Sequence, residues 1–288
     1  MRTGIMFEDV EQFNDRLDKI EENAVIEVFN SLNRDFRAIE KYIDKNYLRL
    51  RNNRDLLPDE KTNSLYSGIS NSMGNRDRSG VLRGYLDRVR NESANFNQKS
   101  NPTIPDNLNN PVDFWAIDSN NRINDWSSKF LEDIRERLRF SYRTGASKSL
   151  ALSSVRERFG QLLSQAERVI NTGTTGVTSS VSERFARANN KEFVILKTTQ
   201  DDRVCPYCAA REGNVYRVGE ITLPLHPSCR CQLIPVTRNQ LKNSKLRNQL
   251  QDFKKEALKE LKAAGGKPNY GVAPFEKKNG LRTPPKSV

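Results

Sequence analysis

Apolar residues recur at every third or fourth position through the first fifty residues, and no glycine or proline lies between Gly4 and Pro58. This spacing puts the apolar side chains on one face of an α-helix. It predicts one long helix, or two helices that break at residues 30–33, where Asn and Ser lower helix propensity. Core burial accounts for the apolar face most simply, and docking on a partner protein is the alternative. The face consists of Val10, Phe13, Leu17, Ile20, Ala24, Val25, Val28, Leu32, Phe36, Ile39, Ile43 and Leu50.

The apolar pattern weakens after this region. Residues 59–77 are polar and contain several Gly, Ser and Asn residues, and a short helix is predicted to follow them. Residues 91–121 are rich in Asn and Pro, so they are predicted to form a linker that Phe114 and Trp115 attach to the protein surface. The first part of the chain is therefore an N-terminal helical region, residues 1–90.

Helical spacing returns after the predicted linker. One helix is expected from about residue 123 to residue 145, and a second at 147–170 that ends at the sequence Asn171-Thr172-Gly173. A third helix is expected at 179–188. Charged residues of both signs alternate along these helices, which is typical of a solvated face with ion pairs four residues apart.

The period of the pattern then changes from 3.6 to 2, which indicates β-strands. Strands are predicted at residues 193–196, 214–218 and 232–236, with a turn at Glu212-Gly213 and with Pro235 placing the last strand at a sheet edge. The fold class is therefore α+β and mostly α-helical, with long N-terminal helices, central helices and a small C-terminal β-sheet.

All four cysteines and the single histidine lie within 27 residues, in the pattern C-x2-C, 17 residues, H-x2-C-x-C. Thiolates and imidazole are the ligands of structural zinc, and a tetrahedral ion takes four. The pattern predicts a zinc site with Cys205, Cys208 and Cys229 as ligands, and with His226 and Cys231 as alternatives for the fourth position. The ion would connect distant segments of a sheet too small to be stable alone.

The local geometry expected at this site follows from the spacing. Cys205-Pro206-Tyr207-Cys208 has the form of a knuckle, in which backbone N–H groups point at the sulfurs, and Cys229 and Cys231 share one face of an extended segment. Asp202 is expected to accept a hydrogen bond from the His226 ring, to cap the knuckle, or to act as an ordinary turn aspartate.

The four cysteines have two alternative roles besides metal binding. The first is a pair of disulfides, but the chain begins MRTGIMFEDV, without the apolar region of a secretory signal. The second is a catalytic Cys–His pair, Cys205 or Cys229 with His226, and it leaves the remaining cysteines without a role. The sequence has no phosphate-binding glycine loop, and we expect a protein that is not an enzyme.

Composition limits the size of the core. Hydrophobic residues make up 35% of the chain and charged residues 29%, and mean hydropathy is −0.76. No stretch approaches the roughly 18 apolar residues of a membrane span, so we expect a soluble protein without a membrane partner. Residues 233–288 carry 13 Lys/Arg and 4 Asp/Glu, so +9 of the formal net charge of +12 lies there.

This basic segment, residues 237–288, is predicted to be an amphipathic helix that stops at Gly265-Gly266, followed by a flexible tail that is disordered until bound. Basic charge favours sequence-independent contact with double-stranded DNA. The candidate DNA or partner contacts are Arg238, Lys242, Lys245, Arg247, Lys254 and Lys255.

The cysteine region also resembles a known family. Residues 202–208 (DRVCPYC), Glu212-Gly213 and residues 224–231 (PLHPSCRC) are similar to the signature of the Mu-F-type phage head morphogenesis (minor head protein) family. That signature pairs a D-x-x-C-x-x-C-like segment and an acidic-Gly turn with a terminal H-P-x-C-R-C. The similarity covers about residues 170–236, and we take residues 122–236 as the Mu-F-like domain.

The resemblance implies a structural role in a virion, at the portal vertex or capsid interior, after assembly in the host cytoplasm. Its implied partners are the portal protein, the major capsid or scaffold protein, and packaged DNA, with a part in head morphogenesis, DNA packaging or genome ejection. The alternative function is that of a zinc-dependent, sequence-nonspecific nucleic-acid-binding protein outside the particle.

Overall fold

The computed structural model describes residues 7–72, 77–199, 205–263 and 265–266. Helices dominate this part of the chain, and one small antiparallel sheet lies towards the C-terminus, as the predicted α+β class requires. In chain order the elements are α1 (Phe7–Asn52), α2 (Pro58–Ser72), α3 (Ser79–Gln98), α4 (Asn109–Arg143), α5 (Lys148–Ala188), β1 (Phe193–Lys197), α6 (Pro206–Ala209), β2 (Val215–Arg217), β3 (Gln232–Val236), α7 (Arg238–Leu241) and α8 (Ser244–Ala263).

The N-terminal apolar face forms one continuous helix, α1. Val28, just before the stretch where a break was possible, and Leu32, within that stretch, are both buried. Burying one such side chain contributes about 1.5–3 kcal/mol, which exceeds the roughly 0.5 kcal/mol by which an Asn or Ser disfavours a helix. Packing therefore decides between the two predicted alternatives.

The fold divides into two compact units. The helical unit consists of Asn23–Leu82 and Ile117–Val169, and the sheet unit consists of Met1–Glu22, Arg83–Ala116 and Ile170–Val288. Each unit has its own buried core.

Aromatic rings fill the core of the helical unit. Phe36 stacks on Phe159 with ring centroids 4.0 Å apart, and Phe130 lies 5.9 Å from Phe159. Tyr47 and Tyr142 form a second stacked pair at 4.8 Å. Such pairs contribute about 0.5–1.5 kcal/mol beyond their buried area.

Helix α2 is not predicted from the sequence, because residues 59–77 look polar. Leu65 and Ile69 nevertheless have no exposed surface, and their four-residue spacing places both on one helical face. Gly68 faces the Tyr42 ring so closely that an added Cβ would lie 2.0 Å from Tyr42 Cζ. The glycine that resembles a loop signal is thus a packing position on a helix.

Residues 91–121 are not a linker. Helix α3 continues to Gln98 and α4 begins at Asn109, so only the residues between them are irregular. Polar residues in this stretch hold the sheet unit together: Asn97 Nδ2 donates to Ser182 Oγ at 3.1 Å. Trp115 is buried in α4, whereas Phe114 is 62% exposed.

Helix α5 does not end at Asn171-Thr172-Gly173 but continues to Ala188, merging the second and third predicted helices. Gly176 lies against the Trp115 ring, where an added Cβ would be 2.0 Å from Trp115 Cε2. The cost of about 1 kcal/mol for a helical glycine is offset by the burial of the indole.

The three predicted strands are present, and β1 lies between β2 and β3 in an antiparallel sheet. Pro235 lies on the edge strand β3, as expected. Gly213, in the predicted turn, has φ +70, a conformation that favours glycine. The expected basic helix is divided into α7 and α8, and Leu250, Ala257 and Leu261 of α8 are buried.

The predicted flexible tail after Gly266 lies outside the described residues. Among the helices that the structure describes, none has the length and apolar character needed to cross a membrane.

Candidate metal centre

The C-x2-C segment forms the predicted knuckle. Cys205 is the N-cap of the short helix α6, with Pro206 at its first position. The backbone N–H of Cys208 donates to Cys205 Sγ at 3.4 Å. An N–H group directed at the sulfur stabilises the thiolate form that binds metal.

The second half of the motif forms a tight turn. Ser228 has φ +60, and the Cys229 N–H donates to the His226 carbonyl at 3.1 Å. Two threonines of helix α5 hold this turn. The Ser228 N–H donates to Thr172 Oγ1 at 3.0 Å, and Thr175 Oγ1 donates to the Cys229 carbonyl.

The five side chains named from the sequence meet at one site, and they are positioned to bind a metal ion. His226 Nε2 lies 3.1 Å from Cys205 Sγ and 3.0 Å from Cys208 Sγ. Cys208 also belongs to a second group with Cys229 and Cys231, and within each group the ligand atoms lie within 4.8 Å of one another. No disulfide joins the four cysteines.

The spacing between ligand atoms fits a small tetrahedral ion after a modest expansion. Zn–S bonds of about 2.3 Å and Zn–N bonds of about 2.05 Å at the tetrahedral angle separate S and N by roughly 3.6 Å. The observed separations of 3.0 and 3.1 Å are those of hydrogen-bonded side chains, so an ion requires them to move apart by roughly half an ångström.

Protons are shared unevenly within the cluster. Hydrogen bonding with Cys208, opposed by burial and aided by His226, lowers the pKa of Cys205 to about 4. Hydrogen bonds with Cys208 and Cys231 lower the pKa of Cys229, whereas those with Cys205, Cys229 and Cys231 raise the pKa of Cys208. The cluster thus holds negative charge on sulfur, which is what a cation requires.

The pKa of His226 is raised to about 9: burial lowers it, but the hydrogen bond to Cys205 and the charges of Cys229 and Cys205 outweigh that effect. The pKa of Cys231 is also raised. Hydrogen bonding with Cys208 lowers it, but hydrogen bonding with Cys229, burial and the charges of Cys229 and Glu212 prevail.

An apolar cluster surrounds the sulfurs. Cys208, Cys229 and Cys231 are at most 2% exposed, and they pack with side chains of the sheet and of the loop before the histidine. These neighbours include Tyr207, Tyr216, Ile221, Leu223, Leu225 and Leu233. The enclosure shields the thiols from solvent and connects the site to the β-sheet.

The predicted turn residue Glu212 has a larger role than its place in a turn suggests. It is fully buried, its Oε1 lies 2.9 Å from Lys197 Nζ, and its Oε2 accepts the Thr198 N–H at 2.6 Å. Lys197 also lies 3.9 Å above the Phe253 ring of α8. Glu212 therefore connects the end of β1 to the segment that follows α6.

Sequence reasoning does not identify the residues that attach the centre to the helices. Arg230, between the last two cysteines, pairs with Asp18 and lies 3.1 Å from Glu21 Oε2 in α1. Thr172 and Thr175 lie where the sequence predicts a helix end. No local signal identifies these contacts, although an Arg between two buried cysteines indicates that an acidic partner is needed.

The six candidate DNA-contacting residues do not form a single set. Arg238 lies 3.4 Å from Glu192, Lys254 donates to Asn214 Oδ1 at 2.9 Å, and Lys255 lies 3.8 Å from Asp252. The other three, Lys242, Lys245 and Arg247, are exposed at the junction of α7 and α8, and Arg238 and Lys255 are exposed as well, although each lies near a carboxylate. Asp202, the expected partner of His226, lies outside the described residues; His226 Nδ1 lies 2.8 Å from the Pro227 carbonyl.

No protein-family model, curated protein or solved structure matches this chain. Its function has to be inferred from the arrangement of its own residues.

Proposed function

We propose that this chain is a structural protein of a bacteriophage head, a minor head protein whose C-terminal region is stabilised by a zinc ion. The observation that carries the proposal is the meeting of Cys205, Cys208, His226, Cys229 and Cys231 at one site. These residues are also the defining positions of the motif that resembles the Mu-F-type head morphogenesis family.

The donor set supports zinc among the common metals. Thiolate and imidazole ligands suit zinc, whereas magnesium and calcium prefer oxygen. In this proposal the ion connects α6 to the turn before β3, and hence two segments that flank the small sheet. Structural zinc contributes roughly 10 kcal/mol or more to such folds.

A structural role fits the enclosure of the site better than catalysis does. A catalytic zinc keeps one coordination position open to water, with three protein ligands. Here five candidate ligands compete for four positions, and three of the sulfurs are buried in an apolar cluster. The proposed protein is therefore not an enzyme.

The proposed partners are the portal protein and the major capsid or scaffold protein, contacted in the portal vertex or capsid interior. Packaged DNA is a further proposed contact, through Lys242, Lys245 and Arg247. Their exposure supports this part of the proposal. The same observation favours the second candidate function, a sequence-nonspecific nucleic-acid-binding protein that acts outside the particle.

Quantitative mass spectrometry of purified phage heads tests the proposal. The parent chain is expected at a fixed copy number per portal ring, and Cys208→Ser is expected to be depleted because it loses a candidate ligand. Ser153→Ala, at an exposed position of α5, is the matched control and should be incorporated normally. Absence of the parent from heads, together with DNA binding at physiological salt, would support the second function instead.

A further inference from the structure

Five side chains compete for four coordination positions, so at least one of them lies outside the coordination sphere of a single tetrahedral ion. The geometric groups overlap only at Cys208: one is Cys205, Cys208 and His226, and the other is Cys208, Cys229 and Cys231. A four-ligand set that includes Cys208 therefore keeps one group whole and takes one residue from the other.

His226 is oriented as a ligand. Its Nδ1 lies 2.8 Å from the Pro227 carbonyl, a partner that can only accept, so Nδ1 carries the hydrogen. When the ring loses its second proton to bind a metal, the lone pair is on Nε2, the atom that faces Cys205 and Cys208 at 3.1 and 3.0 Å. A carbonyl on the distal nitrogen is the usual arrangement behind a metal-bound histidine.

Cys229 belongs to the same turn as His226. Its N–H donates to the His226 carbonyl at 3.1 Å, and Thr175 holds its own carbonyl from helix α5. These contacts fix the segment of Cys229 next to that of His226. An ion bound to the imidazole therefore has Cys229 on a neighbouring segment that is already ordered.

Cys231 is held differently, by the sheet. The next residue, Gln232, is paired with Lys197 in the β1–β3 register, and Lys197 in turn pairs with Glu212. Cys231 is therefore positioned by the sheet rather than by the turn that carries His226 and Cys229.

From this geometry we infer that the ion is bound by Cys205, Cys208, His226 and Cys229, and that Cys231 is a buried thiol outside the coordination sphere. The inference rests on the proposed zinc centre and specifies it as a site with three thiolates and one imidazole. Cys231 packs as a small apolar side chain immediately before β3.

Substitution of Co²⁺ for zinc in the reduced full-length chain tests this assignment. Thiolate-to-cobalt charge transfer reports the number of sulfur ligands, and competition with a chelator gives the affinity. Cys231→Ala is expected to keep the parent spectrum and bind Co²⁺ within about threefold of the parent, because it loses no ligand. Cys229→Ala, the matched control, and His226→Ala are expected to weaken Co²⁺ binding by at least about 100-fold, beyond the effect of a residue that only supports a ligand.

The opposite pattern overturns the ligand set: four-thiolate charge transfer in the parent, retained in His226→Ala and lost in Cys231→Ala. That result does not contradict the proposed function as a head protein or the presence of a zinc centre. A parent chain that binds neither Co²⁺ nor Zn²⁺ overturns the zinc centre itself, and incorporation into heads is then measured separately. Circular dichroism of each variant identifies any that has unfolded, and Cys231→Ser then serves as a second substitution at the same position.

Discussion

At the level of single residues, the centre depends on groups that are distant in sequence. Glu212 neutralises Lys197 and holds the Thr198 amide, with the two charged side chains 0% and 4% exposed. Breaking a buried ion pair by removing one charge costs far more than the pair contributes, since the other charge stays buried.

Glu212→Gln is expected to destabilise the zinc-loaded protein by about 3–5 kcal/mol. The substitution keeps an oxygen for the Thr198 amide but removes the charge that balances Lys197. Urea unfolding followed by circular dichroism measures the change. Glu183→Gln, which breaks an exposed pair with Arg187 on α5, is the control, and its effect should stay below about 0.5 kcal/mol. Equal changes in the free energy of unfolding at both positions would show that the buried pair contributes no more to stability than the exposed pair.

Arg230 is the second residue to test. It lies between Cys229 and Cys231, with 13% of its side chain exposed, and it pairs with Asp18 and with the buried Glu21. Arg230→Ala is expected to cost about 1.5–3 kcal/mol, the value of hydrogen bonds to charged groups. Thermal unfolding measures the change, and Asp18→Ala should then have much less effect in the Arg230→Ala background than in the parent. Additive effects would mean that the contact contributes nothing.

At the level of helices and strands, α5 carries both the packing of the sheet unit and the support of the metal centre. The same stretch of this helix packs against Trp115 through Gly176 and holds the turn of Cys229 through Thr175. Its continuity through two glycines, Gly173 and Gly176, matters for that reason.

Two glycines of α5 allow a matched test of this helix. Gly176→Ala places a Cβ 2.0 Å from the Trp115 ring and is expected to destabilise the protein by about 1–3 kcal/mol. Gly160→Ala meets nothing within 4 Å and is expected to stabilise it by up to about 1 kcal/mol. Melting temperatures should therefore move in opposite directions. A shift of the same sign in both variants would contradict the packing role of Gly176.

How much of the fold can be predicted from the sequence depends on the range of the interactions. The continuous apolar face of α1, the three strands and the clustered ligands are local patterns, and the sequence predicts them. Helix α2 and the continuation of α5 escape prediction because Gly68 and the sequence Asn171-Thr172-Gly173 look like loop signals. The packing of Gly68 on Tyr42 and of Gly176 on Trp115 is visible only in the fold. Contacts such as Thr175 with Cys229 leave no periodic trace in the sequence.

Across the entire chain, the net charge of +12 is concentrated towards the C-terminus. Within the described part of that region, Lys242, Lys245 and Arg247 are exposed together at the α7–α8 junction. Each phosphate that a protein contacts changes the slope of log K against log salt by about 0.9 on duplex DNA.

Replacing Lys242, Lys245 and Arg247 with alanine is expected to reduce the magnitude of that slope by up to about 2.7, whatever the DNA sequence. Fluorescence anisotropy across a salt series measures it. The control variant replaces Lys41, Lys45 and Arg49 with alanine. These side chains are exposed on α1, and their replacement removes the same net charge. If both triple variants lose affinity equally, net charge alone accounts for binding and the junction is not a DNA-binding surface.

The proposed function and ligand set both require that one metal ion closes the cysteine and histidine cluster. Native mass spectrometry of the reduced chain, purified without added metal, is the decisive experiment. We expect a mass increase of one zinc per chain, which a strong chelator removes together with the cooperative unfolding transition of the sheet unit. A metal-free mass with that transition unchanged would contradict the proposed centre.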